Sequence, residues 1–165
     1  MVILQENEVY YNQQRVGPES PVWNDRRVDT RICERALSYI TRGYQSNSPF
    51  FLYVPTSAPH RPCLPPEFIK GNSGVGARED MVSMCDWVIG RLTKQLENLG
   101  IRENTLLLVT SDHGPKPNPD NDHDPTGGKR GRKGSLYEGG ISVPLVASWP
   151  NKINQGNIKQ NVSLI

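Results

Sequence analysis

Residues 104–114 read NTLLLVTSDHG, an apolar run that breaks abruptly into Ser-Asp-His-Gly. A short run of Leu, Val and Thr that ends at a polar cluster has the pattern of a buried strand, so a strand is expected over 104–110. Just upstream, Met81, Cys85, Val88, Leu92, Leu96 and Leu99 recur at helical spacing and stop at Gly100, a residue suited to a left-handed helix end. Further back, PFFLYVP at 49–55 is an apolar and aromatic run between prolines, read as a second buried strand. Strand, loop, long helix, strand is the βαβ pattern, whose crossover is right-handed and whose strands run parallel. Both strands would then end at one sheet edge, where α/β proteins bind ligands.

The rest of the chain fits around that unit. Val28, Ile32, Ala36 and Ile40 predict a helix over about 29–41, closed at Arg42-Gly43. The run 141–149 is expected to return to the sheet. Residues 57–68, SAPHRPCLPPEF, contain too many prolines for regular structure and read as a shaped loop. Residues 1–27 show neither structural period and read as an irregular lead-in, leaving 28–165 as one domain with no internal repeat. The expected class is α/β, with a mainly parallel sheet and flanking helices.

Composition narrows the function classes. A chain of 165 residues with 35% hydrophobic and 22% charged residues suits a globular protein. A formal charge of +2 is too slight to announce nucleic acid or membrane as a partner. No window reaches the roughly 18 apolar residues of a membrane span, and MVILQENEV lacks the basic start and apolar core of a signal peptide. Three cysteines, Cys33, Cys63 and Cys85, without a Cys-x-x-Cys pair, do not suggest a disulfide framework.

Several residues carry possible chemistry. Asp112 and His113 stand where the strand over 104–110 opens into a loop, and a carboxylate with an imidazole can ligate a divalent cation; an ordinary turn with a solvated histidine reads equally well. His60, in APHRP, can exchange a proton near neutrality, although a lone histidine in a proline-rich loop is more often just exposed. Asp120, Asp122 and Asp124 imitate an EF-hand loop but fail it, because Pro125 and Gly131 occupy the positions that need Gly and Glu. KRGRK at 129–133 is basic but lacks interleaved aromatics for nucleic acid. Cys63-Leu64-Pro65 opens like the Cys-x-Pro-x-Arg motif, but Glu67 stands at the arginine position, so Cys63 reads as structural.

In order and spacing, PFFLYVPTSAPHRPCLPPEF, MVSMCDWVIGRLTKQLENLGIRENT, LLLVTSDHG, GRKGSLYEGGISVPLVASWP and NKINQG together resemble the sulfatase family of the alkaline-phosphatase-like superfamily, across about 29–156. The resemblance implies that Asp112 and His113 are ligands of the active-site metal, usually Ca2+. It also implies that His60 contacts the sulfate or its leaving oxygen, and that Lys133 binds sulfate oxygens. The implied substrate is a sulfated small molecule or glycan, with no nucleic-acid or membrane partner, and the family is commonly exported to periplasm, lysosome or the extracellular space. Glu138-Gly139-Gly140 reads as a tight turn feeding the next strand.

Upstream of the Ala-Pro-His segment, the family also carries a Cys/Ser-x-Pro-x-Arg stretch bearing the formylglycine nucleophile, two acidic metal ligands and a Gly-Lys-x-His segment. None of these is read in this chain. The chain therefore reads as a partial, central piece of a sulfatase fold, metal-dependent in kind but inactive in isolation. The alternatives are a phosphodiesterase or phosphonate hydrolase of the same superfamily, and a non-catalytic remnant that binds anionic glycans.

Overall fold

The structure is a computed structural model that describes residues 24–116 and 123–156. The chain groups into two compact units, Met1–Gln95 and Leu96–Ile165.

The first unit is built on two helices, α1 (Val28–Gln45) and α2 (Ala77–Asn98). The buried stripe of α1 is Asp29, Cys33, Ala36 and Ile40, at the intervals that align side chains on one helix face. The expected stripe is thus right at Ala36 and Ile40 but rotated at its start, where Asp29 and Cys33 replace Val28 and Ile32. The helix also runs past Arg42-Gly43. Gly43 is no terminator: a Cβ there would lie 2.7 Å from Phe50 Cδ1, so its bareness gives the Phe50 ring a seat on the helix. Tyr39 meets the same ring edge-on at 6.1 Å.

The core of α2 is Met81, Met84, Val88, Leu92 and Leu96. Met84 takes the inward place expected for Cys85, which is only half-buried. The helix ends as its sequence requires. Gly100 adopts φ +68, its N–H donates to Glu97 O at 2.9 Å, and Ile101 N–H reaches back to Leu96 O at 3.0 Å, the paired bonds of a Schellman cap. At the other end Asp80 gathers the preceding loop. Its carboxylate accepts from Gly71 N–H at 2.7 Å, Ser73 N–H at 2.9 Å and the Ser73 hydroxyl at 2.8 Å. The Ser73 and Gly71 amides, with that hydroxyl, hold the Asp80 carboxyl below the usual carboxylate range. Gly90 sits exposed in the interior of α2 with nothing within 4 Å of an added Cβ. Gly90→Ala is therefore expected to stabilise the unit by about 0.5–1 kcal/mol, since alanine loses less backbone entropy in a helix; a denaturant midpoint unchanged or lowered in the variant would contradict this.

Residues 49–55 depart from expectation. They join no strand ladder among the described residues, and their exposure alternates, with Phe51 86% and Tyr53 76% exposed. A continuous apolar run suggests burial on both faces, whereas here only one side packs inward and the other lies open. The segment leads into a loop with cis bonds at Ala58–Pro59 and Arg61–Pro62.

The second unit carries β1 (Leu107–Thr110), preceded by a 3-10 turn at Arg102–Asn104, then a single helical turn α3 (Glu138–Ile141), and β2 (Leu145–Ser148). The run 141–149 does return to the sheet, but antiparallel to β1, pairing Leu107 with Ser148 and Thr110 with Leu145. The α/β class stands, yet the ladder among the described residues is this antiparallel pair rather than the expected parallel one. Tertiary bonds fix its register at both ends. Arg102 Nη2 donates to Ser148 Oγ, Trp149 Nε1 donates to Glu103 O at 2.9 Å, and the Thr110 hydroxyl donates to Pro144 O at 2.9 Å. Glu138-Gly139-Gly140, expected as a turn, is the helical turn α3.

Candidate active site

In the second unit the candidate ligands stand directly beyond β1. The Asp112 side chain is 78% exposed and its Oδ2 lies 3.1 Å from His113 Nε2. His113 Nδ1 lies 2.9 Å from Gly114 O, and because a carbonyl only accepts, Nδ1 carries the hydrogen. In a neutral ring the Nε2 lone pair then faces a carboxylate oxygen, two acceptors at contact. A divalent cation held by both side chains would relieve that opposition, and a backbone carbonyl on the other ring nitrogen is the usual support of a metal-bound histidine. The pair thus suits a divalent cation. Among the described residues no cluster of three or more His, Cys, Asp or Glu side chains forms, so these two residues supply only part of a shell that for calcium needs about six to eight oxygens.

Lys133 comes to this strand end through its backbone. Its N–H donates to Pro115 O at 2.9 Å, Gly114 N–H donates to Gly140 O at 2.8 Å, and Gly139 N–H donates to Arg130 O at 2.7 Å. Three chain segments therefore pass at backbone contact distance, which only glycine permits. A Cβ on Gly114 would lie 2.1 Å from Gly139 O, on Gly139 2.4 Å from Gly131 O, and on Gly140 2.2 Å from Ser135 O. These glycines matter for missing volume rather than for a special φ. Among the described residues the exposed Lys133 ammonium has no carboxylate partner.

Two further cations of KRGRK, Lys129 and Arg130, are engaged. Lys129 Nζ donates to Ser142 Oγ and lies 3.8 Å from Glu138. The Arg130 guanidinium stacks 3.7 Å from the Tyr137 ring centre and donates to its hydroxyl at 2.6 Å. A basic stripe for nucleic acid is thus reduced to Arg132 and Lys133. Asp124 closes its own turn, accepting from Thr126 N–H, the Thr126 hydroxyl and Gly128 N–H, so it behaves as a turn residue; Asp120 and Asp122 lie outside the described residues.

His60 belongs to the first unit. Its N–H donates to Ser57 O at 2.9 Å and its Nδ1 lies 2.8 Å from Arg61 O, which again places the ring hydrogen on Nδ1. Passing a proton to a leaving group therefore requires the doubly protonated ring and goes through Nε2. A residue that sequence reasoning passed over underlies this loop: Asp29 of α1 accepts from Ser57 N–H at 2.7 Å and from Ala58 N–H at 3.1 Å. The sequence offered little signal, because Asp29 stands beside the Val28 and Ile32 stripe read there and a first-turn acid is common in helices.

All three cysteines are free thiols. Burial pushes both the Cys33 and Cys85 thiols up, so neither is an activated nucleophile. One correction concerns the formylglycine pattern. Its letters do occur at 57–61, as SAPHR. They coincide with the Ala-Pro-His segment, which the family carries in addition to its nucleophile segment, so one stretch would have to serve as both.

On this α/β scaffold a strand opens into a carboxylate–imidazole pair, and a glycine-packed loop brings the Lys133 backbone beside it. The sulfatase profile matches residues 4–165, and the chain belongs to the sulfatase family. It is 36% identical over 146 residues to an N-acetylgalactosamine-6-O-sulfatase of Bacteroides thetaiotaomicron, covering 83% of this chain and 28% of that protein. It is 33% identical over 140 residues to the Mus musculus N-acetylgalactosamine-6-sulfatase, covering 80% and 26%. Among solved structures, a sulfatase from Pseudoalteromonas sp. superposes with TM-score 0.66 at 30% identity, over 79% of this chain and 26% of that one. A Bacteroides thetaiotaomicron structure described under the metabolism of multiple glycosaminoglycans gives 0.74 at 36% identity, over 79% and 29%. The chain thus spans under a third of the length of these relatives.

Proposed function

We propose that this chain is the part of a sulfate-monoester hydrolase that grips the sulfate group, with a sulfated glycan as the substrate class. The observation that supports this reading best is the 2.9 Å bond from Lys133 N–H to Pro115 O, which ties the lysine to the segment bearing Asp112 and His113. A sulfate ester is anionic, and cleavage pushes more charge onto the leaving oxygen, so fixed positive charge and a proton donor lower the barrier. Lys133 neutralises sulfate oxygens. Asp112 and His113 would hold a divalent cation, calcium by family habit, which when bound supplies Lewis-acid polarisation of the sulfate. His60 donates through Nε2 to the leaving oxygen. The names of the relatives, which specify N-acetylgalactosamine 6-sulfates, support a glycan substrate.

The isolated chain is expected to release no nitrophenol from nitrophenyl sulfate, because splitting the reaction into two easier steps needs a nucleophile that none of its assigned residues supplies. Steady turnover by the purified chain would contradict that expectation and return attention to Ser57. In a longer sulfatase carrying these residues, the reading predicts chelator-sensitive turnover of nitrophenyl sulfate well above bis-nitrophenyl phosphate. The reverse preference would make the protein a phosphodiesterase instead.

A further inference from the structure

We propose that Asp29 is a positioning residue for His60, acting through the peptide that joins Ser57 to Ala58. The inference rests on the reading of His60 as the acting imidazole. Asp29 lies on the apolar stripe of α1 with only 3% of its surface exposed, a costly place for a carboxyl unless its oxygens are satisfied. They are satisfied by a distant loop: Oδ1 takes Ser57 N–H at 2.7 Å and Oδ2 takes Ala58 N–H at 3.1 Å. The Ala58 N–H and the Ser57 carbonyl belong to one peptide group, and that carbonyl accepts His60 N–H at 2.9 Å. Carboxylate, peptide and the His60 backbone thus form one hydrogen-bonded line, in which each bond polarises the next.

The second helix holds the same peptide segment from another direction. Cys85 Sγ of α2 donates to Ala58 O at 3.3 Å, and Thr56 Oγ1 reaches both Ala58 O at 3.2 Å and Cys85 Sγ at 3.8 Å. An acidic residue in a first helical turn ordinarily complements the helix dipole. Asp29 instead spends both oxygens on residues 28 and 29 positions away, so its role is directed at the loop. Burial holds its carboxyl above the usual carboxylate range, an effect that the Ser57 and Ala58 amides offset only in part.

The test is nuclear magnetic resonance on the 165-residue chain bearing Asp29→Ala or Asp29→Asn. Wild type is expected to show slow amide exchange at Ser57, Ala58 and His60 and a dispersed His60 ring signal. Loss of two charge-assisted bonds is expected to accelerate those three amides about tenfold or more. The His60 ring signal should move toward unfolded-chain values, while the amides of α1 from Ile32 to Ile40 keep their protection. Asp29→Asn keeps the side-chain volume but turns a donor toward one amide, and it should show the same local change more weakly. Unchanged exchange and an unchanged His60 ring in either folded variant overturn the proposal. Uniform acceleration through α1 in both variants also overturns it, since Asp29 would then serve the fold alone. The catalytic reading fails separately: if Asp29→Ala shifts the ring signal but leaves kcat of a longer sulfatase intact, the positioning stands and the role of His60 falls.

Discussion

Gly114→Ala should dismantle the strand-end site. The new methyl would lie 2.1 Å from Gly139 O and 2.9 Å from the Gly139 and Gly140 carbonyl carbons. Those neighbours are backbone, so no rotamer change can make room, and the segment 112–115 must separate from α3. Separation breaks the 2.8 Å bond from Gly114 N–H to Gly140 O and releases the neighbouring bond from Lys133 N–H to Pro115 O. The expected cost is on the order of 3 kcal/mol, at the upper end for overpacking because backbone must move. Divalent-cation affinity should fall at least about tenfold, since the carbonyl that orients His113 belongs to Gly114 itself. Thermal unfolding with calorimetric cation titration measures both effects. Gly156→Ala is the control, as nothing lies within 4 Å of its Cβ position, and it should stay within about 0.5 kcal/mol of wild type. A Gly114→Ala protein that melts with wild type and still protects the Lys133 amide would show that the close approach is not required.

Lys133→Met is expected to lower kcat of a longer sulfatase carrying this segment by about 10²–10³-fold, the usual loss when a preorganised group facing developing charge is removed. Asp112→Asn should cause a comparable loss and also weaken the response to added cation. The decisive comparison is Arg132→Met. Arg132 is the other exposed cation of KRGRK whose side chain is not engaged by Tyr137, Ser142 or Glu138, so it carries charge in the same loop without the Pro115 tether. An effect under about twofold there supports a specific sulfate contact by Lys133. Equal losses at Arg132 and Lys133, together with salt-sensitive heparin binding that survives chelation, would favour a glycan-binding surface over catalysis.

Local patterns carried much of the architecture. The helix end at Gly100 was legible because a left-handed cap depends on its own residue and a few neighbours, and the two helices were legible because a stripe repeats every three to four residues. The order of the PFFLYVP, SDHG and GRKGSLYEGG segments was enough to identify the family. Boundaries that depend on distant atoms were not legible: α1 continues through Gly43 because Phe50 packs there, and Met84 rather than Cys85 turns inward.

The candidate site divides in the same way. Asp112, His113 and His60 stood out by residue type at a strand end and in a loop, whereas Lys133 was singled out only by the family resemblance. Asp29 did not, because its partners Ser57 and Ala58 are far along the chain and a first-turn acid has an ordinary local explanation. The sequence alone determined the two long helices, the strand that ends before Ser111 and the loops that carry the functional groups, since propensity and periodicity act over a few residues. Only the tertiary structure decided that β1 takes β2 antiparallel, that residues 49–55 lie half open, and that glycine backbones bring Lys133 beside the Asp112 segment. Those outcomes turn on which distant hydrogen-bond partners and unoccupied volumes meet, and no local pattern encodes them.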